Sequence, residues 1–298
     1  MTEPGVFARA TRSEPMSRHT SFGIGGPADV FLLPRTAAEL IEAADFCRET
    51  GRPFTLLGDG TNVLVLDGGI RGVVASTKEM RSFGFLEGGR LRALAGARLS
   101  ALAREAQSRS LAGLEFASGI PGTVGGAVCM NAGAYGGETG GLVESVSVWA
   151  GGAVSELSAS DMGFGYRSSV LMEQGGCALE VTLRLVPGDG DAILEKMNEM
   201  NMRRKESQPL EERSAGSAFR RPPGGYAAEM IDKCGLKGLA VGGAMVSKKH
   251  AGFIINAGGA TARDVLGLMG LVAEKVRERF GVALAPEIRV LGEGLCGL

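Results

Sequence analysis

Apolar and polar residues follow two periods along this chain, and each period predicts a different element. Val143-Glu-Ser-Val-Ser-Val-Trp149 alternates as a half-buried strand, Gly151-Gly152 supplies a turn, and Ala153-Val-Ser-Glu-Leu157 returns as the second arm of a hairpin. Ala178 to Val186 alternates in the same way. Helical spacing shows elsewhere. Leu40, Ile41, Ala44 and Cys47 follow Thr36-Ala-Ala-Glu39, which reads as a capping box, and Gly51 supplies a left-handed stop. Ser100 is the candidate cap of a helix carrying Leu102, Ala103 and Ala106. Asp191 to about Arg203 carries the stripe Ile193, Leu194, Met197, Met200. The strongest helix opens at Thr261-Ala-Arg-Asp264, shows Val265, Leu268, Met269, Val272, Val276 and Phe280 on one face, and closes at Gly281. Short strands are predicted at Val30–Leu33, Phe54–Leu57, Val63–Leu66, Gly72–Ala75, Leu91–Ala95, around Met245 and Phe253, and at Glu287–Leu291.

Helices and strands thus alternate irregularly, which predicts an α+β chain. Its 298 residues suit two or three domains, each able to bury a core. The stretch Glu206 to Gly216 reads as a linker. The predicted division is 17–187, in two lobes of roughly 17–76 and 77–187, then a helix and linker over 188–212 and a C-terminal domain over 213–298 whose last strand packs back on the first lobe.

Composition narrows the partners. Lys and Arg number 32 against 33 Asp and Glu, so no overall field draws nucleic acid or an acidic membrane surface, and any phosphate recognition must be local. Cys47, Cys129, Cys177, Cys234 and Cys296 are far apart and never form C-x-x-C, which argues against a disulfide framework and against zinc. No metal is expected, because neither His19 nor His250 has a second histidine at ligand spacing. Without an apolar leader or a run long enough to span a bilayer, a cytoplasmic protein is expected, as a monomer or weak oligomer.

Two glycine-rich stretches carry the candidate chemistry. Gly113 to Gly141 holds no Lys, Arg, Asp or His beyond Gly119, and closely spaced glycines let main-chain N–H groups approach an anion; the same residues also suit a tightly packed loop. Gly58-Asp59-Gly60-Thr61-Asn62 joins two strands. It lacks the third glycine and the following helix of a dinucleotide fingerprint, and no G-x-x-x-x-G-K-[ST] occurs. A serine-hydrolase site is excluded by the absence of a G-x-S-x-G elbow at Ser217.

Taken in order, His19-Thr20 with Gly25-Gly26-Pro27-Ala28, Gly58 to Leu64, Gly119-Ile120-Pro121-Gly122-Thr123-Val124-Gly125-Gly126-Ala127, Asn131 to Gly136, Tyr166-Arg167-x-Ser169, Gly216-Ser217-x-Phe219, His250 to Asn256 and Pro286-Glu287-Ile288-Arg289 resemble the UDP-N-acetylenolpyruvoylglucosamine reductase family over nearly the whole chain. The resemblance implies a two-lobed FAD-binding domain of the vanillyl-alcohol oxidase type, followed by a smaller α+β substrate-binding domain. It implies non-covalent FAD, NADPH as reductant and UDP-N-acetylglucosamine enolpyruvate as substrate, in synthesis of the bacterial peptidoglycan precursor UDP-N-acetylmuramate. FAD would lie on Gly58, Asp59, Gly60, Thr61 and Asn62 on one side and on Gly119, Ile120, Pro121, Gly122, Thr123, Gly125, Gly126, Ala127 and Asn131 on the other.

The same resemblance implies hydride transfer from flavin N5 to C3, with Ser217 protonating C2, Arg167 holding the charge that develops on the carboxylate and Glu287 assisting at the enolic intermediate. Tyr166, Lys205, Arg221, Lys248 and His250 are the candidate substrate contacts. The chain departs from some relatives at Arg220-Arg221-Pro222, where they have Lys-Asn-Pro. It also has Ser207 where others place a lysine, which leaves Arg204 or Lys205 as diphosphate partners, and it resembles the shorter type that lacks a tyrosine-bearing loop. The alternatives are another FAD-dependent oxidoreductase of this fold, or a catalytically silent nucleotide-binding protein.

Overall fold

Caps fix the ends of the two helices that the sequence marks most clearly. Ala37–Thr50 starts where the Thr36 hydroxyl accepts the Glu39 N–H and stops at Gly51, φ 67°. The Glu39 carboxylate does not complete the predicted box: it accepts the Arg35 N–H at 2.8 Å and pairs with Arg9 at 2.6 Å. Ala262–Phe280 has the full reciprocal box between Thr261 and Asp264 and closes at Gly281. The structure, a computed structural model, describes residues 3–294, so Cys296 lies outside it.

Two compact units emerge from the contacts. One gathers Phe31–Asp59 and Gly72–Arg204 with the N-terminal residues up to Thr11; the other gathers Arg12–Val30, Gly60–Arg71 and the chain from Lys205 onward. The chain passes between them within the strands Pro27–Leu32 and Ile70–Ser76. The sequence division makes 17–76 the first flavin-binding lobe. In the structure Phe22, Ile24, Leu64 and Leu66 are buried instead in the same core as the C-terminal helix.

In the first unit a five-stranded antiparallel sheet runs in the order Ala153–Ser158, Val143–Ala150, Cys177–Arg184, Arg90–Leu94, Phe83–Leu86. The predicted hairpin forms, with Gly151 and Gly152 at φ 60° and 92°. The alternating apolar residues Val146, Val148, Val181 and Leu183 enter a core with Leu102, Val124, Val128, Ile193 and Met197. Leu99–Ser108 begins one residue before the expected cap: Arg98 takes the N-cap position and Ser100 lies inside the helix. The cause is the main chain, since the Leu99 N–H donates to the Gly122 carbonyl and fixes the start there. Within the glycine-rich stretch, Val124–Met130 is a short helix, capped by Thr123 and ended by Asn131.

The second unit is built on a four-stranded antiparallel sheet in the order Arg213–Ser217, Phe253–Asn256, Ala244–Val246, Ala240–Val241. Ala262–Phe280 packs against it through Val265, Leu268, Met269, Val272 and Val276. The end of the predicted linker is therefore a strand. Arg289–Leu291 runs parallel to Val63–Val65, with Arg289 opposite Val63. Among the described residues no helix is long and apolar enough to cross a membrane.

Candidate active site

The first unit brings two glycine loops side by side. A Cβ on Gly58 would lie 2.7 Å from Thr123 Oγ1, so the close approach requires glycine there. Arg98 ties the loops together: its Nε lies 3.4 Å from Asp59 Oδ2, and its main chain bridges to Thr123. Most N–H groups after Thr123 are already used. Val124 and Gly125 donate to Ala97 and Ala95, Gly126 donates to Thr123 Oγ1 and Ala127 to the Thr123 carbonyl. Gly125 serves packing, since a Cβ there would sit 2.7 Å from that of Ala95.

The amides of Asp59, Gly119, Gly122 and Thr123 have no protein acceptor among the described residues. They are among the donors that this pair of loops can offer to an anion, with Arg98 balancing the Asp59 carboxylate. Ile120 donates its N–H to Ala117, and Pro121 has none to give. The Arg204 guanidinium donates to the Gly119 carbonyl, and burial lowers its pKa. Arg204 is thus built into the Gly119 loop. These groups fit a bound diphosphate such as that of FAD, because unspent amides, a glycine-permitted approach and local positive charge occur together.

Arg167 sits in a tight turn between Gly165 and Ser168, which bridge each other. It takes φ 55°, a conformation that disfavours a bulky side chain, so its surroundings must hold it. Its Nη2 donates to the Gly133 carbonyl at 3.0 Å, and its guanidinium lies 5.1 Å from the centre of the exposed Tyr166 ring. Asn131 secures the turn from below. Its carboxamide donates to the Gly165 carbonyl at 3.0 Å and accepts the Gly140 N–H at 2.8 Å. The fully buried Ser169 hydroxyl adds a bond to the Cys129 carbonyl at 2.7 Å.

The second unit brings Ser217 and Glu287 into one hydrogen-bonded frame, although 70 positions separate them. Ser217 ends its strand opposite Phe253, the next residue donates its N–H to Gly252, and the carbonyl of that residue, Ala218, accepts the Glu287 N–H at 2.9 Å. Phe219 then bridges to Pro286. His250 braces the same frame: its Nδ1 accepts the Gly252 N–H at 3.2 Å, and burial, then the Lys237 charge, holds its pKa below the ordinary value. Gly60 and Asn62 also belong here. Gly60, at φ 68°, packs so closely on His19 that a Cβ would fall 2.1 Å from its carbonyl oxygen, and Asn62 Nδ2 donates to the Glu287 carbonyl at 3.1 Å. Thr61 lies between them in the same loop.

The remaining predicted contacts are placed separately. Arg221 stacks on Tyr226 at 4.2 Å, Lys248 packs near Gly238, and the Lys205 carbonyl accepts from Lys249 Nζ. Arg220, which the sequence flags only as a departure from relatives, has a buried Nε with no hydrogen-bond partner among the described residues, while its N–H donates to the Ala285 carbonyl. The arginine pair ahead of Pro222 is the one signal for it. Among the described residues no group of three or more His, Cys, Asp or Glu could hold a metal.

Known proteins resemble this chain over nearly its whole length. Residues 28–151 match a family model described as FAD binding domain, and residues 208–291 match one described as UDP-N-acetylenolpyruvoylglucosamine reductase, C-terminal domain. The chain is 50% identical over 282 residues to UDP-N-acetylenolpyruvoylglucosamine reductase of Caldanaerobacter subterraneus subsp. tengcongensis, covering 94% of this chain and 93% of that protein. It is 47% identical over 281 residues to the protein of that name from Clostridium botulinum strain Hall, covering 94% and 92%. The crystal structure of the Thermus caldophilus reductase superposes with a TM-score of 0.80 at 38% identity, over 95% of this chain and 98% of that one. The chain therefore belongs to the UDP-N-acetylenolpyruvoylglucosamine reductase family, FAD-dependent oxidoreductases with an α+β flavin-binding fold.

Proposed function

We propose that this protein reduces UDP-N-acetylglucosamine enolpyruvate to UDP-N-acetylmuramate, with NADPH as the electron donor. The observation that carries the reading is the shared frame of Ser217 and Glu287, two residues distant in sequence whose backbones meet through Ala218. FAD, which the amides of Asp59, Gly119, Gly122 and Thr123 would hold, would supply the redox chemistry that carries a hydride equivalent from NADPH to C3 of the enolpyruvyl group. Addition at C3 pushes electrons toward C2 and the neighbouring carboxylate, so the chain must hold that charge and return a proton to C2.

Arg167 holds the carboxylate charge. Its strained turn points to a cation kept in place by its surroundings rather than one that swings freely. The Ser217 hydroxyl gives the proton to C2, and Glu287 works with it on the enolic charge. Arg220, whose buried Nε has no partner among the described residues, and Arg221 are the cations of the second unit suited to the anionic nucleotide, with Tyr166, Lys205 and Lys248 as further contacts. The flavin diphosphate takes the amides of Asp59, Gly119, Gly122 and Thr123. Residues from about 213 onward carry most of the substrate recognition, with Tyr166, Arg167 and Lys205 adding contacts from before that point.

Ser217→Ala separates these roles. Flavin reduction by NADPH should stay within a factor of a few of the unaltered protein, while reoxidation by the enolpyruvyl sugar nucleotide slows about 100- to 10,000-fold, as expected for a lost proton donor. Equal slowing of the two half-reactions would contradict the role given to Ser217.

A further inference from the structure

Glu287 precedes the last strand, and its backbone is held from both sides. Its N–H donates to the Ala218 carbonyl at 2.9 Å, and its carbonyl accepts from Asn62 Nδ2 at 3.1 Å. The Asn62 carbonyl in turn accepts the Arg289 N–H at 3.0 Å, where the parallel pairing of Arg289–Leu291 with Val63–Val65 begins. Side chain and main chain of Asn62 therefore grip the residues on either side of Ile288, whose own side chain is buried in the core. Strand pairing needs only the main-chain bond. The second bond needs a short side chain that donates, and Asn meets that need where Asp would set a carboxylate against a carbonyl.

We propose that Asn62 is a positioning residue for Glu287. The bond to the Glu287 carbonyl fixes the plane of the Glu287–Ile288 peptide, and with it the direction in which the Glu287 side chain leaves the backbone. Because Asn62 closes the loop that begins at Gly58, the setting of Glu287 is tied to the conformation of that loop. The inference rests on the reductase reading, since it presumes that Glu287 acts on the substrate.

The test uses flavin-loaded protein in a stopped-flow instrument, with reduction by NADPH and reoxidation by the enolpyruvyl sugar nucleotide measured separately. Four variants are compared: Asn62→Ala, the isosteric Asn62→Asp, Glu287→Gln, and the double variant Asn62→Ala with Glu287→Gln. In either Asn62 variant, reoxidation should slow roughly tenfold or more beyond any slowing of reduction, the scale of a misplaced catalytic group. In the Glu287→Gln background, Asn62→Ala should slow reoxidation by less than about twofold, because both substitutions act through one carboxylate. Equal slowing of both half-reactions, or full multiplication of effects in the double variant, overturns the role of Asn62 and leaves the reductase reading standing. Unaltered protein whose reduced flavin ignores the sugar nucleotide overturns both.

Discussion

Replacing Asn131 measures how much of the Arg167 turn depends on one buried carboxamide. Asn131 ends the helix Val124–Met130 at φ 46°, ψ 56°, and it is only 1% exposed. In Asn131→Ala the half-buried Gly140 N–H loses its acceptor, a cost of about 1–3 kcal/mol, and a left-handed alanine adds about 1 kcal/mol relative to glycine. Asn131→Gly loses the same two hydrogen bonds but keeps the backbone conformation at little cost. The expected losses are therefore about 2–4 kcal/mol for alanine and about 1–3 kcal/mol for glycine. Urea unfolding, read as the shift in midpoint at unchanged slope, gives these values directly, and each kcal/mol should lower the melting temperature by about 2–4 °C. Reoxidation of the flavin by substrate should fall in both variants, because the Gly165 carbonyl that opens the Arg167 turn is released. Stability within about 0.5 kcal/mol of the unaltered protein in both variants would refute the reasoning. Identical losses for alanine and glycine would refute the part assigned to the backbone conformation.

Two further outcomes follow from buried titratable groups. Burial and Lys237 hold the His250 imidazole below its ordinary pKa, so the unfolded chain takes up the proton first as pH falls below about 6.5. The stabilisation is complete above that value and is lost as pH drops through the folded-state value. Urea midpoints at pH 7.5 and 5.5 should therefore diverge more in the unaltered protein than in His250→Asn, whose Oδ1 can stand in for the Nδ1 acceptor; equal divergence would contradict this. Burial also pushes the Cys47 thiol up to about 11 and the Cys177 thiol up to about 12. Neither should react with a disulfide reagent at pH 7.5 until the protein unfolds, and a fall in native labelling on Cys177→Ser would show otherwise.

Elements with local signals were legible in the sequence. Ala262–Phe280 combines a complete box, an apolar stripe and a terminal glycine, and the hairpin at Gly151-Gly152 combines alternation with residues that accept positive φ. The strand Arg213–Ser217 has no such signal, because its sequence is small and polar and its conformation comes from pairing with Phe253–Asn256. The helix Val124–Met130 was hidden by glycines that mark close packing against Ala95 as much as they mark a loop. The last strand does pair with Val63–Val65, inside the first lobe as expected, yet the burial of Phe22 and Leu64 in the C-terminal core was hidden, because their own neighbourhoods carry no mark of the helix they pack against.

The site divides along the same line. The family resemblance pointed to Arg167, Ser217 and Glu287, whereas the bonds that hold them run from Asn131, His250 and Asn62 to main-chain atoms, which a sequence does not display. Arg220 escaped for a similar reason. An arginine in a polar turn looks solvated until its Nε is found buried, with no partner among the described residues.

The central claim is that this chain couples oxidation of NADPH to reduction of the enolpyruvyl sugar nucleotide through FAD. Flavin-loaded protein should be given excess NADPH with and without UDP-N-acetylglucosamine enolpyruvate, with NADPH absorbance and UDP-N-acetylmuramate followed in the same samples. The account predicts that sustained NADPH loss requires the sugar nucleotide and matches the product formed mole for mole. NADPH loss that proceeds equally without the sugar nucleotide, or that yields no UDP-N-acetylmuramate, would contradict it.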